Sequence, residues 1–417
     1  MKNGKINKLI LVAVMLASCL MCMTACSTWD SFKHTFIDKV EKKNVVYIGV
    51  FEPQTGELAD KGNDEIKGIE LANSIYNNVN GYDVELVKVD TQSDPKSAKS
   101  AMTSLLKMKP VAIIGSTGEA ESLIAASQIQ KAKIPTITPS AVNPLITQDN
   151  GYYFRASITN SQMGAGLAEY AYYELGSRAI GLVDIRNDST ITAIIDGFDT
   201  QIASMNGSAG SPILLRENIT VTDDNWNALL KSIKKSGVNV VFMPIGVEST
   251  DSFFAAVEKK GMTNITFLGT KAWGTDEFAK IARKHPKIKV AFPYDSVVSR
   301  NKSTKNTVTA ETQRFLIEYA NKYGEHDEPS EYSALGYDSY LLIINAINNA
   351  ASFDGDAIRQ AMMGLSGMQC ATGVFQFDSK GNTIRSVNIA TVKDGYIISA
   401  YTTKGTSKAK AIEEIDK

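Results

Sequence analysis

The chain has 417 residues and a net charge of −1 at neutral pH, with acids and bases interspersed along it. That balance excludes the basic face a nucleic acid needs, and the length exceeds one ordinary core, so two lobes are expected. Of the four cysteines only Cys370 lies outside the first 26 residues, which excludes a disulfide within the globular part.

Lys2, Lys5 and Lys8 precede an apolar run from Leu9 to Met23, the order of a secretory signal peptide. The run is short for a membrane span. It ends in Met23-Thr24-Ala25-Cys26, which resembles a bacterial lipobox and predicts cleavage before Cys26 and lipidation of that residue. Leu16-Ala17-Ser18-Cys19 is a second candidate, closer to the lipobox spelling but with a shorter apolar run before it. Residues 1–25 are therefore read as a lipoprotein signal peptide and 26–44 as a tether, in which Phe32, Phe36 and Val40 fall at helical spacing. An uncleaved anchor helix is the alternative. Both place the remainder outside the cytoplasm, and the first anchors it to the cell membrane through Cys26.

From Val45 short β-rich runs alternate with helical periods. Val45 to Val50 reads as a buried strand, and Ile66, Ile69, Ala72, Ile75 and Tyr76 mark one helix face. Val84, Leu86 and Val89 form a second strand; Ala98, Ala101, Met102, Leu105 and Leu106 repeat the helical spacing. Val111 to Gly115 and Ile134 to Thr138 are further strands. The alternation restarts at Ala179 to Val183, passes through a helix with Ile191, Ile194, Ile195 and Phe198, and returns at Val238 to Met243. Strands separated by helices need right-handed crossovers, so each half is expected to be an α/β lobe built on a parallel sheet.

In such sheets ligands bind beyond the carboxyl ends of the strands. Gly115-Ser116-Thr117-Gly118-Glu119 and Thr138-Pro139-Ser140-Ala141-Val142 follow buried strands there and combine small residues, hydroxyls and helix-start amides. An ordinary capped βα loop has the same spelling. Phosphate-loop, zinc-helix and nucleophile-elbow patterns are absent from the sequence, so no catalytic residue, metal or cofactor is expected. His34, His285 and His326 sit in polar contexts and read as solvated, and Gly164-Ala165-Gly166 reads as close helix packing.

Several blocks carry a more specific signal. Ile48 to Gly56, Lys67 to Ala72, Asp90 to Pro95, Ile134 to Pro144, Tyr153-Phe154-Arg155, Phe267-Leu268-Gly269, Tyr332 to Asp338 and Gly373 to Asp378 resemble, in order, the branched-chain amino acid (leucine/isoleucine/valine) binding protein family. These are type I periplasmic-fold receptors of ABC importers. The resemblance implies two doubly wound lobes joined by three hinge crossings, with lobe I at 45–160 and 295–365 and lobe II at 161–294 and 366–417. It also implies a small organic solute held between them, an ABC permease as partner, no nucleic acid, no enzymatic activity and a monomer.

By the same resemblance the ligand carboxylate would be held at Gly118, Glu119, Ser140, Ala141 and Val142, through backbone N–H groups. Glu119 and Val142 replace the family's serine and threonine there. Asn160 and Lys271 stand where acids meet the ligand ammonium, and Ser189 stands for a family tyrosine. A buried ammonium needs a partner. Glu119 and Glu52 are the acids proposed nearby, and each is also a candidate partner for Lys271. A carboxylate or amide ligand facing Lys271 is therefore expected in preference to leucine, isoleucine or valine. A sensor that presents its ligand to a membrane signalling partner is the alternative to transport.

Overall fold

The computed structural model describes residues 44–185, 189–207, 210–219, 226–294 and 310–403. The expected signal peptide, the two candidate lipobox cysteines, residues 26–43 of the expected tether and His34 lie outside these residues. Among the described residues, Val46–Asn80 and those from Val84 onward form one compact unit, while Asn44, Val45 and Gly81–Asp83 fall in a second, small one.

The chain opens with β1 (Val45–Glu52), whose uninterrupted burial from Ile48 onward suits a strand covered on both faces. Then follow α1 (Ala59–Ile75), β2 (Asn78–Val79), β3 (Tyr82–Asp90), α2 (Pro95–Lys107), β4 (Ala112–Gly115), α3 (Glu119–Ala132), β5 (Thr136–Thr138) and β6 (Tyr153–Arg155). Helix α2 starts where the sequence dictates: Asp94 caps it by accepting from Ser97 N at 2.8 Å, and Pro95 sits in the first turn, where its missing N–H costs nothing. The sheet order is β2-β3-β1-β4-β5-β6, and the β1–β4, β4–β5 and β5–β6 pairs are parallel. Strand order reverses about β1, so the carboxyl ends of β1 and β4 flank a crevice.

A second sheet begins after α4 (Asn160–Glu169), with β7 (Ile180–Asp184), α5 (Ser189–Asn206), β8 (Ile213–Asn218), α6 (Asn227–Ser236), β9 (Val240–Phe242), α7 (Val247–Lys259), β10 (Thr266–Leu268), α8 (Asp276–Lys284) and β11 (Lys289–Pro293). Its neighbours β7–β8, β7–β9, β9–β10 and β10–β11 are parallel. Alternate residues of each strand feed opposite faces. Val241 and Phe267 join one core with Phe253, Phe254 and Trp273; Val240, Phe242 and Leu268 join another with Leu167 and Phe198.

The chain then returns through α9 (Ala310–Tyr323), α10 (Glu331–Ala350), α11 (Gly355–Met363) and the hairpin β12 (Ser366–Cys370) with β13 (Gly373–Gln376), before β14 (Asn388–Lys393) and β15 (Tyr396–Thr402) extend the second sheet. Both α/β halves are thus as expected, with one difference: β14 is antiparallel to β11, and β15 to β14. For β15 the cause is the turn after β14. Asp394 and Gly395 have φ of 54° and 79° between the paired Lys393 and Tyr396, a two-residue hairpin that leaves no length for a crossover.

Two helix pairs approach backbone to backbone. A Cβ on Gly164 would lie 1.9 Å from Ile194 O, and one on Gly197 would lie 2.0 Å from Ser161 O, so α4 and α5 meet through glycine as the Gly164 pattern suggested. Likewise Gly68 faces Ser333 O and Gly336 faces Glu65 O, which presses α1 against the start of α10. That contact fixes two acids, Glu65 and Glu331, within one rigid helix pair.

Candidate ligand-binding cleft

A cleft of about 790 Å³ opens between the carboxyl ends of the first sheet's strands and the loops of the second. On one side β4 turns through Ser116, Thr117 and Gly118 into α3, and β5 turns through Ser140, Ala141 and Val142. Thr117, Glu119, Ser140, Ala141 and Val142 line the cleft. Gly118 is the N-cap of α3 and is not on the wall.

The amides of these loops already donate within the protein. Thr117 N donates to Glu52 Oε2 at 2.8 Å, Gly118 N to Ser116 Oγ at 3.1 Å, Ala141 N to Thr138 Oγ1 at 3.2 Å and Val142 N to Glu119 Oε1 at 3.3 Å. Of the amides expected to hold a ligand carboxylate, those of Gly118, Ala141 and Val142 thus have acceptors within the protein. Two of the chain's own carboxyls, Glu52 and Glu119, stand among the acceptors in these loops. The first turn of α3 also carries Glu119 and Glu121, so its own side chains answer the positive end of the helix.

Behind this wall lies a buried acid pair. Glu52 at the end of β1 and Glu65 on α1 are both 0% exposed, Glu52 feels the charge of Glu65, and one oxygen of each, Glu52 Oε1 and Glu65 Oε2, is buried without another donor. Two carboxylates cannot hydrogen-bond without a proton between them. Burial, then the charge of Glu65, holds Glu52 well above the usual carboxyl range; burial pushes Glu65 up to about 7. The pair therefore keeps a proton, and Glu65 is the member that also faces the hydroxyls of the cleft wall. Glu65 accepts from Ser140 Oγ at 2.5 Å, and Ser140 Oγ lies 2.7 Å from Thr117 Oγ1.

The facing wall comes from α4, α5, the turn after β10 and the segment after β11. Asn160, Met163, Thr190, Ile194, Lys271 and Tyr294 line it. Asn160 opens α4, whose start is fixed by a capping box between Thr159 and Gln162. Ser189 precedes the lining residue Thr190; its side chain lies outside the described residues. Lys271 begins a short 3₁₀ turn anchored by the fully buried Trp273, whose Nε1 donates to Ile245 O at 2.8 Å.

Lys271 does not pair with Glu119 or Glu52. Its ammonium lies 3.0 Å from Glu331 Oε1, in the first turn of α10, and Glu331 lines the cleft too. Tyr294 reports this setting: its phenol is raised first by burial and then by the charge of Glu331. Glu331 and Lys61 are lining residues that sequence reasoning did not name, while Thr117 and Tyr332 entered only as members of longer blocks. The only signal for Glu331 was its place beside Tyr332, at the edge of a recognised block.

With two sheets and a cleft at their strand ends established, comparison with known proteins becomes informative. The periplasmic binding protein family model matches residues 45–396. The chain belongs to that family. This periplasmic binding protein is 26% identical over 242 residues to an amino acid binding protein of Pseudomonas aeruginosa, a match over 57% of this chain and 63% of that one. It thus spans just under two thirds of that relative's length. A leucine binding protein from Thermotoga maritima shares its fold with a TM-score of 0.63 and 25% identity, over 86% of this chain and 98% of that one. A solute binding protein of an ABC transporter from Rhodopseudomonas palustris, in complex with p-hydroxybenzoic acid, gives a TM-score of 0.65 at 20% identity, over 87% and 97% of the two chains. These relatives are binding proteins, not enzymes, as the sequence blocks implied. Among the described residues no helix is long and apolar enough to cross a membrane.

Proposed function

We propose that this protein is the extracytoplasmic receptor of an ABC importer, holding a small amino-acid-like, carboxylate or amide solute in the cleft and tethered to the cell membrane through a lipidated Cys26. The lobes would be residues 45–160 with 295–365 and residues 161–294 with 366–417, closing on the solute so that a permease meets a liganded form distinct from the open one.

The observation that carries the reading is the composition of the cleft walls. Hydroxyls and short side chains of two βα loops face a lysine held on a rigid turn, with about 790 Å³ between them. That volume suits a single small molecule. Lys271 offers a carboxylate or a carbonyl a charge-assisted partner. The solutes named for the Thermotoga and Rhodopseudomonas proteins both carry a carboxyl group, which supports an acid or its amide over an uncharged solute such as a sugar.

Calorimetry of the purified protein with leucine, valine, benzoate and small amides tests this. Submillimolar binding of an acid or amide, weakened at least about tenfold by Lys271→Ala, is expected for a charge-assisted contact. Tight leucine binding untouched by that substitution would place the ligand elsewhere. Mass spectrometry of the mature N-terminus examines the anchor: a diacylglyceryl adduct on Cys26 is expected, and an intact Met1 would refute it.

A further inference from the structure

The acid pair behind the first-sheet wall has no part in the reading above, yet it decides what that wall can offer a solute. Each hydroxyl has one proton. When Glu65 is ionised, Ser140 spends its proton on Glu65 Oε1. The 2.7 Å contact between Ser140 Oγ and Thr117 Oγ1 must then use the proton of Thr117. Both protons point inward, and the cleft sees only oxygen lone pairs from these two lining residues. When Glu65 instead carries a proton on Oε1, it donates to Ser140, Ser140 donates to Thr117, and the Thr117 hydrogen turns toward the cleft.

We propose that Glu65, sharing a proton with Glu52, is a positioning residue that sets the polarity of Thr117 and Ser140: the wall takes N–H donor groups when Glu65 is ionised, and acceptor groups such as carboxylates when it is protonated. The inference rests on the cleft being the solute site. It differs from the Lys271 contact in lying on the opposite wall and in depending on one titrating proton.

The surroundings of the pair are consistent with one proton held there. Glu52 Oε1 and Glu65 Oε2 are buried with no donor other than each other's acid proton. Glu52 Oε2 accepts from Thr117 N and, at 3.5 Å, from Ser116 Oγ. From α1 itself the charge of Lys61 favours ionised Glu65, and Lys61 lies 5.5 Å from the ring of Tyr332 on α10. From β6, Tyr153 donates to Gly115 O at 2.7 Å, and its phenol is raised by burial and then by Glu52, so it stays protonated. Burial pushes Glu65 up to about 7, so the switch falls at neutral pH.

The test uses two matched probe pairs that do not titrate near neutrality: benzamide with benzoate, and 4-methylpentanamide with 4-methylpentanoate. For a site that needs ionised Glu65, the amides should bind about tenfold tighter at about pH 8.5 than at about pH 6. The acids should do the reverse. Glu65→Gln should abolish both dependences. The double variant Thr117→Val, Ser140→Ala, which keeps both carboxyls, should abolish them too while a carboxyl carbon of the pair, followed by ¹³C NMR in the full chain, still titrates near neutrality. Binding of either class with the same affinity at both pH values, or both carboxyls titrating in the ordinary range, would overturn the inference while leaving the receptor reading in place. If neither these probes nor leucine or valine bind at either pH, the solute-site reading falls, and this inference with it.

Discussion

The two walls of the cleft present polar groups by opposite means. On the first-sheet side Glu52 and Glu65 are fully buried, and the amides and hydroxyls around them are committed to one another. Lys271 of the second-sheet side instead reaches across the cleft to Glu331 of α10, an ion pair whose side chains are 31% and 23% exposed. A buried network is stiff and expensive to disturb, and it responds to protons; a half-exposed pair is cheap to open, and it responds to salt. A binding protein can use both, one wall to define what is bound and the other to yield when the solute arrives.

The largest effect that separates them is pH. Glu65 is raised from its ordinary 4.5 to about 7, Glu52 moves the same way, and Asp338, buried beneath the β12–β13 hairpin, is raised from 3.8 to about 6. Burial is the first cause in each. A carboxyl whose folded value is raised gives its full stability below the unfolded value and loses it as pH climbs through the folded value. Stability should therefore fall between about pH 4.5 and pH 7, by about 3 kcal/mol for Glu65 alone. Urea melts across that range measure it. Glu65→Gln should flatten the slope and make the protein more stable at alkaline pH; a profile rising through this window would contradict the buried pair.

A second substitution disturbs the helix pair that carries both Glu65 and Glu331. Gly68 brings α1, which carries Glu65, against α10, which carries Glu331, and a Cβ there would lie 1.7 Å from Ser333 O. Gly68→Ala should cost about 2 kcal/mol from overpacking, despite the better helix propensity of alanine. Gly210→Ala, where no atom lies within 4 Å, should change stability by less than about 0.5 kcal/mol. Thermal melts of the two variants give the comparison.

How much of this was legible in the sequence follows the range of the interactions. Strands such as β1 and β4, and the loops that follow β4 and β5, are local patterns of apolar runs ended by small residues, and they were read correctly. Asn160 and Lys271 were also brought to the cleft. Glu65 was not foreseen, because a glutamate beside the apolar face of Ile66, Ile69 and Ala72 reads as solvated; only its packing beside Glu52 and Ser140, both distant in the chain, buries it. The partner of Lys271 was misplaced for a similar reason. Glu331 lies 60 positions away on another layer, and no local pattern joins them. The antiparallel edge is different: Asp394-Gly395 between β-rich runs is a hairpin signal that was present and went unread.

A smaller effect concerns how Asn160 is presented. The capping box at Thr159 satisfies both ends of a reciprocal pair, with Gln162 N donating to Thr159 Oγ1 and Gln162 Oε1 accepting from Thr159 N. Thr159→Ala should destabilise by about 1 kcal/mol, and Thr159→Ser should recover most of it. Both are read from chemical denaturation, and equal loss in the two variants would show that the methyl group, not the cap, matters there.

Among the charged residues of the cleft, the smallest expected change in stability is at Lys271. The ammonium and Glu331 are each partly exposed, so water and salt screen them, and Lys271→Ala should cost less than about 1 kcal/mol. Glu331→Gln should cost as little, since the first turn of α10 keeps Ser330 as its cap, accepting from Ser333 N at 3.2 Å. The contrast with Glu65 is what makes these variants informative. If the second-sheet wall yields on capture, a carboxylate must compete with Glu331 for the same ammonium, and freeing Lys271 removes that competitor. Glu331→Gln should therefore tighten benzoate binding a few-fold at low salt, and less at high salt, where the pair is already screened. Calorimetry at two salt concentrations reads both arms. Weaker benzoate binding in Glu331→Gln would mean that Glu331 holds Lys271 in position for the solute instead of competing with it, and the two walls would then be alike in being preorganised.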